Sequence, residues 1–193
     1  MSVIHADVDG DGRRDTVILY ATLGHQRFET RYAPKAFWLV VRRASGGELR
    51  TRLPRSESNP FFLQHGNLND LAGDELIVQV SRISSGSNAV IYTDATGRLI
   101  REPLVLAYRG DSVFKAGFVC RTGPHPQIAQ HTYELLGSLA TSPWRNTTTT
   151  YTWHGDILRR ARRTTTTQQT LTASATTLSP SCGTLDVPLS ILR

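Results

Sequence analysis

The segment Asp7-Val8-Asp9-Gly10-Asp11-Gly12-Arg13-Arg14-Asp15, followed at once by Thr16-Val17-Ile18-Leu19-Tyr20, constrains this chain more than any other stretch. Four carboxylates at alternate positions repel one another unless a cation lies among them. Calcium, a hard ion, takes about six to eight oxygens, and a tight loop supplies them from alternate residues. The expected ligands are Asp7, Asp9, Asp11, the carbonyl of Arg13, and Asp15, which closes the loop. Gly10 and Gly12 allow the left-handed backbone that wraps an ion. Magnesium fits less well, because it keeps its waters and a rigid octahedron. Position twelve counted from Asp7 is Ile18, where an EF-hand needs a bidentate Glu, and the run that follows is β-branched. The loop therefore opens a strand and not a helix.

The same pattern returns sixty positions on as Asn67-Leu68-Asn69-Asp70-Leu71-Ala72-Gly73-Asp74-Glu75, followed by Leu76-Ile77-Val78-Gln79-Val80. Asn67, Asn69 and Glu75 stand where Asp7, Asp9 and Asp15 stood, but Leu71 replaces the central Asp11. This is read as the same fold element with a degraded, empty metal loop. A second repeated feature is a hairpin: Phe37–Val41 into Gly47–Arg50, Ala89–Thr93 into Gly97–Arg101, and Thr149–Trp153 into Gly155–Arg159. Each is a β-rich run, a glycine turn and a further strand. The chain thus divides into three β units, about 1–60, 61–110 and 111–163. The third has no acidic loop, unless Asp111 is its remnant.

The Asp7–Asp15 segment resembles the FG-GAP or VCBS repeat, the calcium-loop blade of integrin-type β-propellers, and Asn67–Glu75 resembles a worn copy of it. The resemblance covers residues 1 to about 163. It implies an all-β fold of blade-like four-stranded sheets, a structural Ca2+ in the first loop, and a secreted or surface-attached protein without catalytic activity. A propeller typically closes with about four to eight blades, and three are present. The expected architecture is therefore an incomplete propeller or a stack of sheets, with an oligomer that completes the ring as a further possibility.

The remaining features add less. Of 22 basic residues only Lys35 and Lys115 are lysines, and the net charge is +6; such arginine usage suggests a GC-rich bacterial genome. The arginines are scattered, which makes nucleic acid an unlikely partner. Arg50, Arg101 and Arg159 nevertheless fall at matching places in the three hairpins, as a candidate anion-binding rim. Residues 164–193, nine of them threonine, are expected to form a low-complexity, disordered tail. A late strand within Leu185–Arg193 is the alternative. Cys120 and Cys182 either form one disulfide, in an oxidising compartment, or are a buried thiol and a tail thiol. No stretch is long and apolar enough for a membrane span, and the first residues show no basic-then-apolar leader. The six histidines form no metal spacing, and no nucleophile elbow occurs. The leading expectation is a calcium-stabilised, non-catalytic module that binds a protein or glycan outside the cell. Two other readings stay open: a hydrolase with its site between blades, and an arginine-based anion-binding protein.

Overall fold

The computed structural model describes residues 1–24, 33–54, 60–83, 86–110, 112–138, 142–171, 181–182 and 185–186, and these contain strands and turns but no helix. Twelve strands form three four-stranded antiparallel meanders. The first is β1 (Ser2–Ala6), β2 (Asp15–Gly24), β3 (Ala33–Arg42) and β4 (Glu48–Arg52). The second is β5 (Phe61–Gly66), β6 (Glu75–Ile83), β7 (Gly86–Ala95) and β8 (Arg98–Gly110). The third is β9 (Phe114–Arg121), β10 (Gln127–Leu135), β11 (Trp144–His154) and β12 (Ile157–Gln168). The second and third are continuous in hydrogen bonding, but β8 and β9 share only the pairs Arg109–Ala116 and Gly110–Lys115. No closed barrel forms.

The sheets stack face to face, and the residue pattern shows why. An antiparallel strand with one wet face alternates apolar and polar residues, whereas one covered on both faces is apolar throughout. Glu75–Val80 of β6 and Ala89–Thr93 of β7 are buried without a break. Leu76, Val78, Val80, Val90 and Tyr92 join Val17, Leu19, Leu39 and Val41 of the first sheet in one core. Ile77, Ala89 and Ile91, from the opposite face, join Phe118, Ile128 and Leu158 of the third sheet in a second core. The middle sheet is therefore the filling of a three-layer stack. Equivalent strands lie over one another, β1 against β5, β4 against β8 and β8 against β12.

The three hairpins lie where the sequence places them, as the β3–β4, β7–β8 and β11–β12 pairs. Thr96 and Gly97 both have positive φ, 53° and 81°, as a two-residue type I′ turn requires. Two details differ from expectation. The boundary at residue 163 falls inside β12, because Thr164–Thr167 continue the strand opposite Asn146–Thr148 and Arg145. Threonine is polar but β-branched, so a threonine run suits an exposed edge strand as well as a tail. Further on, Leu185–Asp186 forms the short β14, paired with β13 (Ser181–Cys182); the rest of the expected tail, 172–180, 183–184 and 187–193, lies outside the described residues.

Asp111 also lies outside them. Topology moves the search for a third loop elsewhere: the segment equivalent to 7–14 and 67–74 connects β9 to β10, and is Thr122-Gly123-Pro124-His125-Pro126. It carries no carboxylate. Cys120 is disulfide-bonded; of the chain's two cysteines the other, Cys182, is its backbone register partner where β13 runs parallel to β9.

Candidate metal centre

Loop 7–14 leaves β1 and re-enters at β2, and one side chain holds it shut. Asp15, wholly buried, accepts a hydrogen bond from the Val8 amide at 2.9 Å and another from the Ala44 amide at 2.9 Å, which ties the loop to the β3–β4 turn. Within the loop the Asp11 amide donates to Asp9 Oδ1 at 3.3 Å and the Gly12 amide to Asp7 Oδ2 at 2.9 Å. Asp7, Asp9 and Asp15 each offer a carboxylate oxygen to one cluster whose atoms lie within 4.8 Å of one another. Asp7 Oδ1 is buried with no hydrogen-bond partner among the described residues. An orphaned carboxylate oxygen facing two further acids is a donor set a hard cation fits.

Asp11 is not among the clustered carboxylates. It turns to Arg13 instead, accepting from its amide at 2.8 Å, Nε at 3.1 Å and Nη2 at 2.8 Å. The Arg13 guanidinium, and after it the Arg13 amide, hold the Asp11 carboxyl below its ordinary value. Arg13 thus enters the loop through its guanidinium and amide. Arginine two residues after aspartate permits this local pairing.

The second loop keeps the frame of the first. Leu68 donates its amide to Glu75 Oε2, as Val8 does to Asp15, and the Leu71 amide donates to Asn69 Oδ1 at 2.8 Å, as Asp11 does to Asp9. Asp70 takes the positive φ of Gly10, 64° against 73°; aspartate is among the few side chains that adopt it readily. Asn67 is self-satisfied: its Nδ2 donates to the Leu71 carbonyl, and its Oδ1 accepts from the Asp70 amide at 2.8 Å. Asn67, Asn69 and Glu75 are together in space but bring a single carboxylate. Burial pushes that Glu75 carboxyl up to about 7.

The two loops also interlock. The Asp74 amide donates to the Asp7 carbonyl at 2.6 Å, the Asp7 amide to Asp74 Oδ2 at 3.3 Å, and His65 Nδ1 meets the same oxygen at 2.9 Å. Gly10 lies so close to Ala72 that a Cβ there would be 2.6 Å from the Ala72 carbonyl carbon. Arg43 completes the bridge, with Nε 3.5 Å from Asp9 Oδ2 and Nη2 bonded to Asp94 of the second sheet. Its guanidinium is held above its ordinary value, first by Asp94. Arg43 and Asp94 were not legible as site residues of the first loop, since Arg43 reaches it from the β3–β4 turn and Asp94 from β7 of the second sheet.

The candidate anion rim does not assemble. Arg50 pairs with Val40, Arg101 with Tyr92 and Arg159 with Thr152. Followed across to the second strand of each sheet, these are the rows of Ile18, Leu76 and Gln127, which are the fourth, second and first positions of their strands. The register shifts within the second and third hairpins lie farther from the turn than these pairs, so the offset comes from where each row meets the second strand of its sheet. Arg50 instead lies on the outer face of the first sheet, 4.0 Å above the Trp38 ring and 5.7 Å from Tyr20. Arg159 alternates with the core residue Leu158 and so faces out from the opposite end of the stack.

Comparison with known proteins returns no match, whether to a family model, to a curated protein or to a solved structure.

Proposed function

We propose that this chain is a calcium-stabilised, non-catalytic β-repeat module that works outside the cell or at its surface and binds a protein or glycan. The observation that carries the metal part is the convergence of Asp7, Asp9 and Asp15, with Asp7 Oδ1 buried and unpartnered. The FG-GAP or VCBS resemblance of the same residues supports the module and its placement. The disulfide at Cys120 agrees with an oxidising compartment. In the bound state Asp7, Asp9 and Asp15 would hold the ion, and it would neutralise the acids that the interlocked loops press together. Arg43 already offsets part of that charge from the side of Asp94.

The test is thermal unfolding with and without calcium, on the wild type and Asp9→Ala. A ligand that binds only the folded state stabilises by about 2.7 kcal/mol at a hundred times its dissociation constant. The reading requires an upward shift in the wild type that disappears in Asp9→Ala. An unchanged midpoint in both proteins leaves the loop a polar turn.

A second reading has one observation in its favour. On the outer face of the first sheet Arg50 is held flat by Trp38, with Arg52 two residues along the same strand. A stacked guanidinium with free N–H edges suits a carboxylate, sulfate or phosphate, so the partner would carry anionic groups. Affinity for a sulfated polysaccharide that falls steeply with salt, and falls again in Arg50→Ala, is the expected result.

A further inference from the structure

The edge of β9 is unlike that of β12, and it carries a parallel partner. β8 pairs with it only at Lys115 and Ala116 and then departs into the middle sheet. From Gly117 the edge reads Gly-Phe-Val-Cys, without a charge until Arg121. The free edge of β12, by contrast, carries Arg159, Arg160, Arg162 and Arg163, charges of the kind that discourage pairing with another strand. Part of this uncharged edge is covered: Ser181 and Cys182 of β13 pair with Val119 and Cys120. This is the one parallel pair among the described strands.

Two residues are fewer than an ordinary strand contains, and β13 is separated from β12 by residues 169–180. So short a ladder does not offset the entropy of ordering the chain that carries it. The covalent bond at Cys120 supplies what the ladder lacks, because it removes most of that freedom before the strand docks. Cys120 is itself 6% exposed and belongs to the core between the second and third sheets, beside Phe118 and Ile128. The latch is therefore anchored at an inter-sheet core and ends on an exposed edge.

We propose that β13 is a disulfide-latched cover strand, and that a dithiol reductant releases it and bares β9 from Gly117 to Arg121. The chemistry is a two-electron exchange. One thiolate of the dithiol attacks the protein disulfide to form a mixed disulfide, and its second thiolate displaces the remaining protein sulfur. The dithiol ends as its own disulfide, and both cysteine sulfurs end protonated as thiols. What the release uncovers is a backbone edge with Val119, already 39% exposed, at its centre. Such an edge is a template for an added strand.

Hydrogen exchange on the full-length chain tests this, with the protein oxidised, reduced by dithiothreitol, and as Cys182→Ser. In the oxidised protein, denatured without reductant, a maleimide should find no reactive thiol. Reduction and Cys182→Ser should each speed exchange of the edge-facing amides within Gly117–Arg121 by tenfold or more, while β6, β7 and β11 keep their protection. Two reactive thiols in the unreduced protein would overturn the proposal, as would equal protection of Gly117–Arg121 in all three samples. It would also fall if exchange rose across β10–β12 as much as in β9, because the bond would then be a staple for the whole third sheet.

Discussion

Loop 7–14 and loop 67–74 share a skeleton and differ in charge. Both are closed by a buried acid that accepts an amide seven residues earlier, both contain the same side-chain-to-amide turn, and both put a left-handed residue at the same place. The first gathers three carboxylates, while the second has asparagine at two of those positions and glutamate at the third, with leucine where Asp11 stands. The second loop then satisfies its own polar groups, whereas the first leaves Asp7 Oδ1 without a partner. Geometry is thus preserved independently of metal chemistry, because the loops brace each other and the stack needs both. Among the described residues only the first gathers three carboxylates.

The sharpest way to break the comparison is at the closing acids. Asp15→Ala strands two amides, Val8 and Ala44, and should cost about 4 kcal/mol at about 2 kcal/mol per orphaned donor. Glu75→Gln keeps an acceptor for Leu68 and, compared near pH 4.5 where the buried carboxyl is still neutral, should cost less than about 1 kcal/mol; urea unfolding of the pair at that pH reads both. Next comes the interlock. Gly10→Ala places a methyl against the Ala72 backbone at a φ of 73° and should cost about 3 kcal/mol. Gly12→Ala, at a φ of 81° with nothing within 4 Å, should cost about 1 kcal/mol in the same assay.

A third prediction concerns the other inter-sheet junction, where a buried acid works without a loop. Glu102 is 1% exposed, accepts the Leu158 amide at 2.7 Å, and has its second oxygen unpartnered. Burial pushes its carboxyl from 4.5 to about 7, and the backbone bond from Leu158 opposes this only in part. A folded-state value above the unfolded one means that this contribution is complete below the unfolded value and is lost as pH rises to the folded one. Stability should therefore decline between about pH 4.5 and pH 7. Glu102→Gln should flatten the decline and be about 2 kcal/mol more stable than the wild type at pH 8. The smallest effect is at Leu71. Because that side chain is 41% exposed, Leu71→Asp should change stability without calcium by less than about 0.5 kcal/mol. If charge alone disabled the second loop, Asn67→Asp, Asn69→Asp and Leu71→Asp combined should introduce a calcium-dependent rise in its melting temperature.

Much of this was legible in the sequence because it is local. The two loops, the strands they open and the three hairpins are carried by residues a few positions apart, and β-branched runs with glycine turns determine them. What was not legible depends on distance or on a competitor nearby. Asp11 fits the alternate spacing of ligands, but Arg13 two residues later captures it. Arg43 reaches the first loop from the β3–β4 turn, and Asp94, its partner, from a strand that only the stacking of sheets brings near it. The rim of Arg50, Arg101 and Arg159 follows from aligning the turns, but their rows meet the second strand of each sheet at different positions, and Arg50 and Arg159 face out from opposite ends of the stack. In the third unit an acid was sought at 111, while the equivalent loop, Thr122–Pro126, contains none for a pattern search to find. Burial of the middle sheet on both faces was written in Leu76–Val80 and Ala89–Thr93, yet only the stack shows which side chains face which neighbour.

The most direct measurement is calorimetric titration of calcium into the wild type, Asp9→Ala and Asn69→Ala. The account predicts one site per chain in the wild type, none in Asp9→Ala, and one unchanged site in Asn69→Ala. Two sites in the wild type, or a site that survives Asp9→Ala and is lost in Asn69→Ala, would contradict it, as would the absence of binding to all three.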